Sequence, residues 1–256
     1  MFLSLLEGNL IHPLIERNHL RAISDIATGT GIWLQDVRNA FDNARPFPLL
    51  QGFDVSSAQF PSDLDKLSFS VQNVLNPFPP DELNRYDLVH VRFLQPGLEE
   101  SDYQLAVTNM VSIIKPGGYL QWEEEDCSRS FKLMTTIQPQ LQEIVDDYVG
   151  YAKFHGFSLN APEAIVKACV NADLKVISKT FQNTVNAPPE QLSHIRSFFR
   201  RSLAMVLPVA YCDQGLVHDE HEGQTMYHRK ISKVMRLFEE GLVLDDVFAS
   251  ILCQKA

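Results

Sequence analysis

Two acidic residues and a small-residue turn are the features of this 256-residue chain that could do chemistry. Asp25-Ile-Ala-Thr-Gly-Thr-Gly31 follows a short apolar stretch and precedes Ile32-Trp-Leu. Thr28, Gly29, Thr30 and Gly31 carry little side-chain bulk, so their backbone N–H groups can approach a ligand. Glycine also admits the positive φ angles of a tight strand-to-helix turn, and a helix opening near Gly31 would aim its N-terminal donors at a negative group. About 20 residues on, Leu49-Leu-Gln-Gly-Phe-Asp54 reads as a strand ending on an acid, the spacing at which a carboxylate meets a ribose. Its two oxygens suit two vicinal hydroxyl donors.

The elements that must position these residues follow from pattern. Ile32–Phe41 reads as a helix, broken by Pro46 and Pro48. Leu67–Val71 reads as a strand running into Gln72-Asn73-Val74, and Tyr86-Asp-Leu-Val-His-Val-Arg92 as another. Alternation puts His90 and Arg92 on one face near the carboxyl end of that strand, where open α/β sheets hold their ligands. Apolar spacing predicts a helix over Asp102–Ile114, stopped by Lys115-Pro-Gly-Gly, with Tyr119-Leu-Gln-Trp122 as the next strand. Further helices are expected over Pro139–His155, Pro162–Ala168, His194–Leu207 and Gln224–Gly241, with strands at Leu174–Ser178 and Val247–Cys253.

These segments resemble the class I S-adenosylmethionine-dependent methyltransferases, strongly over roughly residues 9–125. Asp25 through Gly31 matches the family's acidic glycine-rich signature, with Ala27 in place of the first glycine. Asp54 matches the ribose-binding acid, and Asn73 stands where the family usually carries an acid near the adenine amine; an amide oxygen can still accept there. Tyr86-Asp87 and Lys115-Pro-Gly-Gly-Tyr119 match the starts of the fourth and fifth strands. Gly8-Asn-Leu-Ile-His-Pro13, Thr28–Trp33, Val89–Arg92 and Tyr119–Trp122 are worded most like the fungal branch associated with secondary metabolism.

The resemblance implies an α/β fold, a Rossmann-like seven-stranded sheet whose last strand is antiparallel. It implies one domain over residues 1–256, with residues 181–241 inserted as a helical cap. S-adenosyl-L-methionine is the expected cofactor, held by Asp25, Ala27, Thr28, Gly29, Thr30, Gly31, Asp54, Val55, Asn73, Val74, His90 and Arg92. His12, Trp33, Trp122, Phe198 and Met205 are expected near the acceptor. His12 lies in a segment that family members lay across the cofactor, and relatives usually carry additional helices ahead of it, so part of the lid is expected to be missing here. A dehydrogenase is the rival for a glycine turn plus a ribose acid, but no third glycine is placed for a dinucleotide.

Composition narrows the partners. A net charge of −10 argues against nucleic acid or an anionic membrane. Arg200-Arg201 and Arg229-Lys230 read as isolated solvated pairs. The four cysteines lack metal-site spacing and no disulfide framework is expected. Glu123, Glu124, Glu125 and Asp126 read as a solvated loop rather than a metal or base site, and His218-Asp-Glu-His221 as an acidic helix start. Met1–Glu7 is too short and too early in charge for a signal peptide, no apolar run is long enough to span a bilayer, and cytoplasm is the default.

The expected function is methyl transfer to an O, N or S atom of a small organic acceptor, in secondary-metabolite biosynthesis. The catalytic base is not assigned, and no metal is expected. Two alternatives keep the fold without methyl transfer: a regulatory binding protein, or a cyclase that retains the cofactor as a fixed charge.

Overall fold

A computed structural model describes residues 9–62, 65–185, 188–242 and 244–256. The apolar run Met1–Glu7 and Gly8 lie outside the described residues.

Seven strands form one mixed sheet in the order β3-β2-β1-β4-β5-β7-β6. They are β1 (Ala22–Ile26), β2 (Leu49–Asp54), β3 (Ser68–Val71), β4 (Tyr86–Arg92), β5 (Ile114–Glu125), β6 (Leu174–Asn183) and β7 (Val247–Lys255). β1 pairs in parallel with β2 on one side and β4 on the other, and β4 pairs in parallel with β5. Chain order therefore reverses between β1 and β4, and the carboxyl ends of those two strands make the crevice where such sheets take ligands. The apolar composition of β1 and β4 fits their place in the middle, covered on both faces.

Two compact units emerge from this chain. The first holds the described chain up to Glu124, with Ala161–Phe181 and Ala249–Ala256. Its helices are α1 (Ile32–Ala40), α2 (Tyr103–Ile113) and, from further along the chain, Ala161–Asn171. One core cluster gathers Tyr86, Met110, Ile113 and Trp122; another gathers Ile11, Trp33, Leu34, Leu50 and Leu88.

The second unit holds Glu125–Asn160 and Gln182–Phe248. It is helical: α3 (Cys127–Ile137), α4 (Gln142–Phe154), then, beyond the Ala161–Asn171 helix (α5), α6 (Pro189–Asp213) and α7 (Glu220–Glu239). Leu141, Ile144, Leu203, Leu207, Tyr211, Ile231, Val234 and Phe238 form its core. α3 escaped the sequence reading, because Cys127–Ile137 mixes Ser, Arg, Lys and Thr among few large apolar residues. Asp126 starts it as N-cap, its side chain accepting from the Arg129 N–H at 3.0 Å. α7 begins as the acidic stretch predicted, with Asp219 capping Glu222 N–H at 2.9 Å.

Candidate functional site

β1 ends at Ile26, and the chain turns through Ala27, Gly29 and Gly31, all with positive φ (55°, 53° and 66°). Gly31 is the N-cap of α1. The turn is pinned to β2 twice: Thr28 N–H donates to the Phe53 carbonyl at 3.0 Å, and Gly29 N–H donates to Asp54 Oδ2 at 2.9 Å. A Cβ on Gly29 would meet Gln59 Oε1 first, at 3.5 Å, so the space over this residue is open to a ligand. Gly31 and Gly52 are closed instead, because a Cβ on either would fall within 3.0 Å of the Phe69 ring. Gly52 and Phe69 are thus part of what shapes the turn, and no local sequence signal marked them. Phe93, just past the end of β4, also takes a positive φ of 56°. Backbone strain therefore sits at the carboxyl ends of both strands that flank the switch point, as it commonly does at functional sites.

Behind the turn lies a buried polar network. Asp25 and His90 face each other in the β1–β4 register. His90 Nδ1 lies 2.7 Å from Asp25 Oδ1, and His90 Nε2 lies 2.5 Å from Glu123 Oε2 on β5. The ring is fully buried and stacked on Trp33, with centroids 3.7 Å apart and planes within 2°. Thr28 Oγ1 donates to the other Asp25 oxygen at 2.7 Å. Gln121 Nε2 donates to the other Glu123 oxygen at 2.6 Å and to the Leu10 carbonyl at 3.0 Å, while Gln121 Oε1 accepts from His12 N–H at 2.8 Å. Trp33 Nε1–H reaches the same Leu10 carbonyl at 3.3 Å. Burial alone would drive the His90 pKa below its ordinary 6.5, but the charge of Glu123 and the hydrogen bonds and charge from Asp25 and Glu123 outweigh it and hold the pKa above that value.

The structure brings together Asp25, Thr28, Gly29, Gly31, Asp54, His90, Trp33 and the His12 backbone. Ala27 and Thr30 complete the turn, half-buried and exposed. Val55 is 67% exposed beside Asp54, Arg92 is half-buried, and Val74 is buried. Asn73 is exposed, and its side-chain oxygen accepts from Leu75 N–H at 2.9 Å.

Several expectations need correction. His90 has no surface to offer a ligand, since its ring lies inside the network. Trp33 and Trp122, expected beside the acceptor, are both core residues; Trp122 donates its indole N–H to Glu124 at 3.2 Å. Glu123, Glu124 and Asp126 are buried rather than a solvated loop. Strand β5 runs on through Glu125, and each of these acids finds donors: Glu124 accepts from Leu94 and Gln95 N–H, both at 3.0 Å. Glu123 and Gln121 are the site residues that sequence reasoning missed; their one signal was alternation along an apolar strand.

Phe198 and Met205 belong to the helical unit. Phe198 is half-buried, edge-on to Phe248 at 6.3 Å, and Met205 is 73% exposed.

No family model matches the chain. Among curated proteins, the methyltransferase grgD of a Penicillium species is 31% identical over 205 residues, covering 76% of this chain and 70% of that protein. The N-methyltransferase sirN of Leptosphaeria maculans is 36% identical over 102 residues, 39% of this chain and 34% of its own length. Among solved structures, a SAM-dependent methyltransferase from Methanosarcina mazei shares the fold, with a TM-score of 0.54 at 11% identity over 96% of this chain and 98% of that one. With this sheet order, the acidic glycine turn bonded to the acid that ends β2, and the extent of the match to grgD, the chain belongs to the class I S-adenosylmethionine-dependent methyltransferases.

Proposed function

We propose that this enzyme methylates a small organic acceptor of secondary metabolism, and that Asp25–Gly31, Asp54, Val55 and Asn73 hold its S-adenosylmethionine. The observation that carries the cofactor assignment is Asp54: its carboxylate already orients Gly29 N–H at the mouth of the turn, beside the open space over Gly29. When bound, S-adenosylmethionine would supply an electrophilic sulfonium methyl for an acceptor lone pair, with its sulfur as the neutral thioether leaving group.

The chain's own work is alignment and exclusion of water. The N-terminus of α1, which opens at Gly31, suits a carboxylate. Asp54 offers acceptors to ribose hydroxyls, and exposed Val55 gives an apolar surface for a flat base. Asn73, two residues past β3, offers an exposed amide group for the adenine edge. Arg92 is the last residue of β4, and His12 is tied by its N–H to Gln121 of β5.

A nitrogen acceptor is the preferred reading, supported by relatives such as sirN that are named N-methyltransferases. A neutral amine attacks through its lone pair and sheds its proton afterwards, whereas an alcohol needs a base to take its proton during the attack. We assign acceptor choice to the helical unit, which holds all of the expected cap from Gln182 onward, including Phe198 and Met205. The chain's net charge of −10 supports a small-molecule acceptor over nucleic acid. No described helix is long and apolar enough to cross a membrane, and cytoplasm is the compartment this reading takes.

Calorimetric titration with S-adenosylhomocysteine tests the site. Asp54→Ala is expected to lose about 1.5–3 kcal/mol, a tenfold or greater weakening. Unchanged affinity would place the ribose elsewhere. Release of S-adenosylhomocysteine with a panel of amine, phenol and thiol acceptors tests the reaction, and product from phenols or thiols with none from amines would overturn the nitrogen reading.

A further inference from the structure

His90 lies between two carboxylates, and that geometry restricts its protonation. A neutral imidazole donates from one ring nitrogen only. The other nitrogen would then set a lone pair against a carboxylate oxygen at 2.5 or 2.7 Å, in a site with no exposed ring surface. Between two ionised carboxylates, both contacts are attractive only if both nitrogens carry protons. The charged groups acting on the ring are Glu123 from β5 and Asp25 from β1; α1 contributes the uncharged Trp33 face.

The network leads in two directions from this ring. Through Asp25 it reaches Thr28 in the glycine turn. Through Glu123 and Gln121 it reaches the Leu10 carbonyl and the His12 N–H. Trp33, stacked on the ring, donates to the same Leu10 carbonyl. Ile11, between those two contacts, is buried in the core.

We propose that His90 is a positioning residue which works as an imidazolium, clamping Asp25 to Glu123 so that the glycine turn and the Leu10–His12 segment are held in one arrangement, and that cofactor binding weakens when this charge is lost. The inference rests on the cofactor reading above but reaches further, since it gives a residue with no ligand contact control over the pH dependence of binding. Loss of the proton removes one of the two clamping hydrogen bonds and leaves two buried carboxylates facing each other across a neutral ring. Thr28 loses its fixed acceptor on one side, and Gln121 its fixed partner on the other.

Nitrogen-15 NMR of histidine-labelled protein, with His90 assigned by the loss of its signals in His90→Gln, reads the charge directly. The expected result is imidazolium shifts at both nitrogens persisting well above pH 6.5, the ordinary histidine value. One protonated and one bare nitrogen at neutral pH would overturn the proposal. Glutamine cannot bridge both acids as a cation, so His90→Gln is expected to bind S-adenosylhomocysteine about tenfold or more weakly at neutral pH. Its affinity should also lack the decline that the wild type shows on titration of His90, and hydrogen exchange at His12 N–H should be faster. A folded His90→Gln with wild-type affinity and pH profile would overturn the proposal. If that variant does not fold, Glu123→Gln keeps the side-chain shape, and the His90 titration midpoint must then fall; an unmoved midpoint overturns the clamp. Failure of the wild type to bind S-adenosylhomocysteine would instead defeat the cofactor reading, and the nitrogen shifts would still judge the charge on His90.

Discussion

The strand-end network of the first unit and the interior of the helical unit handle buried charge in opposite ways. Around His90, the two carboxylates share a cation and each of their oxygens has a donor. In the helical unit, Asp245 and Asp246 are adjacent and buried, and Asp245 Oδ1 and Asp246 Oδ2 have no hydrogen-bond partner among the described residues. Burial and the neighbouring Asp245 push the Asp246 carboxyl up to about 7. The surfaces differ too. α6 and α7 enclose a groove of about 560 Å³ where Arg200, Arg201, Arg236 and His228 gather over Ala204, Ile231 and Met235. Saturated polar networks specify one arrangement, and partly satisfied ones leave the region easier to change. On the proposed reading, the first unit is the fixed cofactor platform and the second the part that varies with the acceptor.

The largest test attacks the platform. Gly29→Val should abolish S-adenosylhomocysteine binding with the fold retained by circular dichroism, because a branched residue is strained at φ 53° and fills the open space over the turn. Normal binding by a folded variant would remove the turn from the cofactor site.

Next comes the helical unit's unmatched acid. The folded chain keeps a proton on Asp246 at pH values where the unfolded chain, with a carboxyl near the ordinary 3.8, has released it. Stability should therefore fall as pH rises from about 4 towards 7 and then level off. Each pKa unit is worth about 1.4 kcal/mol, so Asp246→Asn should stabilise the protein by a few kcal/mol at pH 8 and flatten that slope. Denaturant melts at pH 5 and pH 8 read both effects. Destabilisation at pH 8 would mean the charged form is well paired.

A smaller gain is expected at Ala27, where a non-glycine residue holds φ at 55°. Ala27→Gly relieves about 1–2 kcal/mol of left-handed strain and returns about 0.5–1 kcal/mol through unfolded-chain entropy, for a net gain near 0.5–1 kcal/mol. A thermal melt checks it, and a loss of stability would show that the turn differs from that described.

The smallest effect belongs to Met205. Its exposure predicts that Met205→Ala changes stability by no more than about 0.5 kcal/mol and leaves cofactor affinity intact. If the helical unit selects the acceptor, the ratio of rates on a large and a small acceptor should shift. Equal loss on both would break the assignment.

How far the sequence alone reached is visible residue by residue. Leu49–Asp54 and Tyr86–Arg92 are strands over the bounds their patterning predicts, and the helix expected over Asp102–Ile114 runs from Tyr103 to Ile113. The glycine turn and Asp54 were legible because the hydrogen bonds that define them follow from spacing within one strand-turn-helix unit and its neighbouring strand. Tertiary structure alone decided the rest. His90 meets Asp25 and Glu123 across separations of 65 and 33 residues, and four consecutive acids look the same in sequence whether water or a buried imidazolium faces them. Arg200-Arg201 looked like an isolated pair until α6 and α7 packed and brought Arg236 beside it. Local spacing determines which backbone groups a turn can present. The state of a charge depends on what folding places around it, and those partners come from strands and helices far apart in the chain.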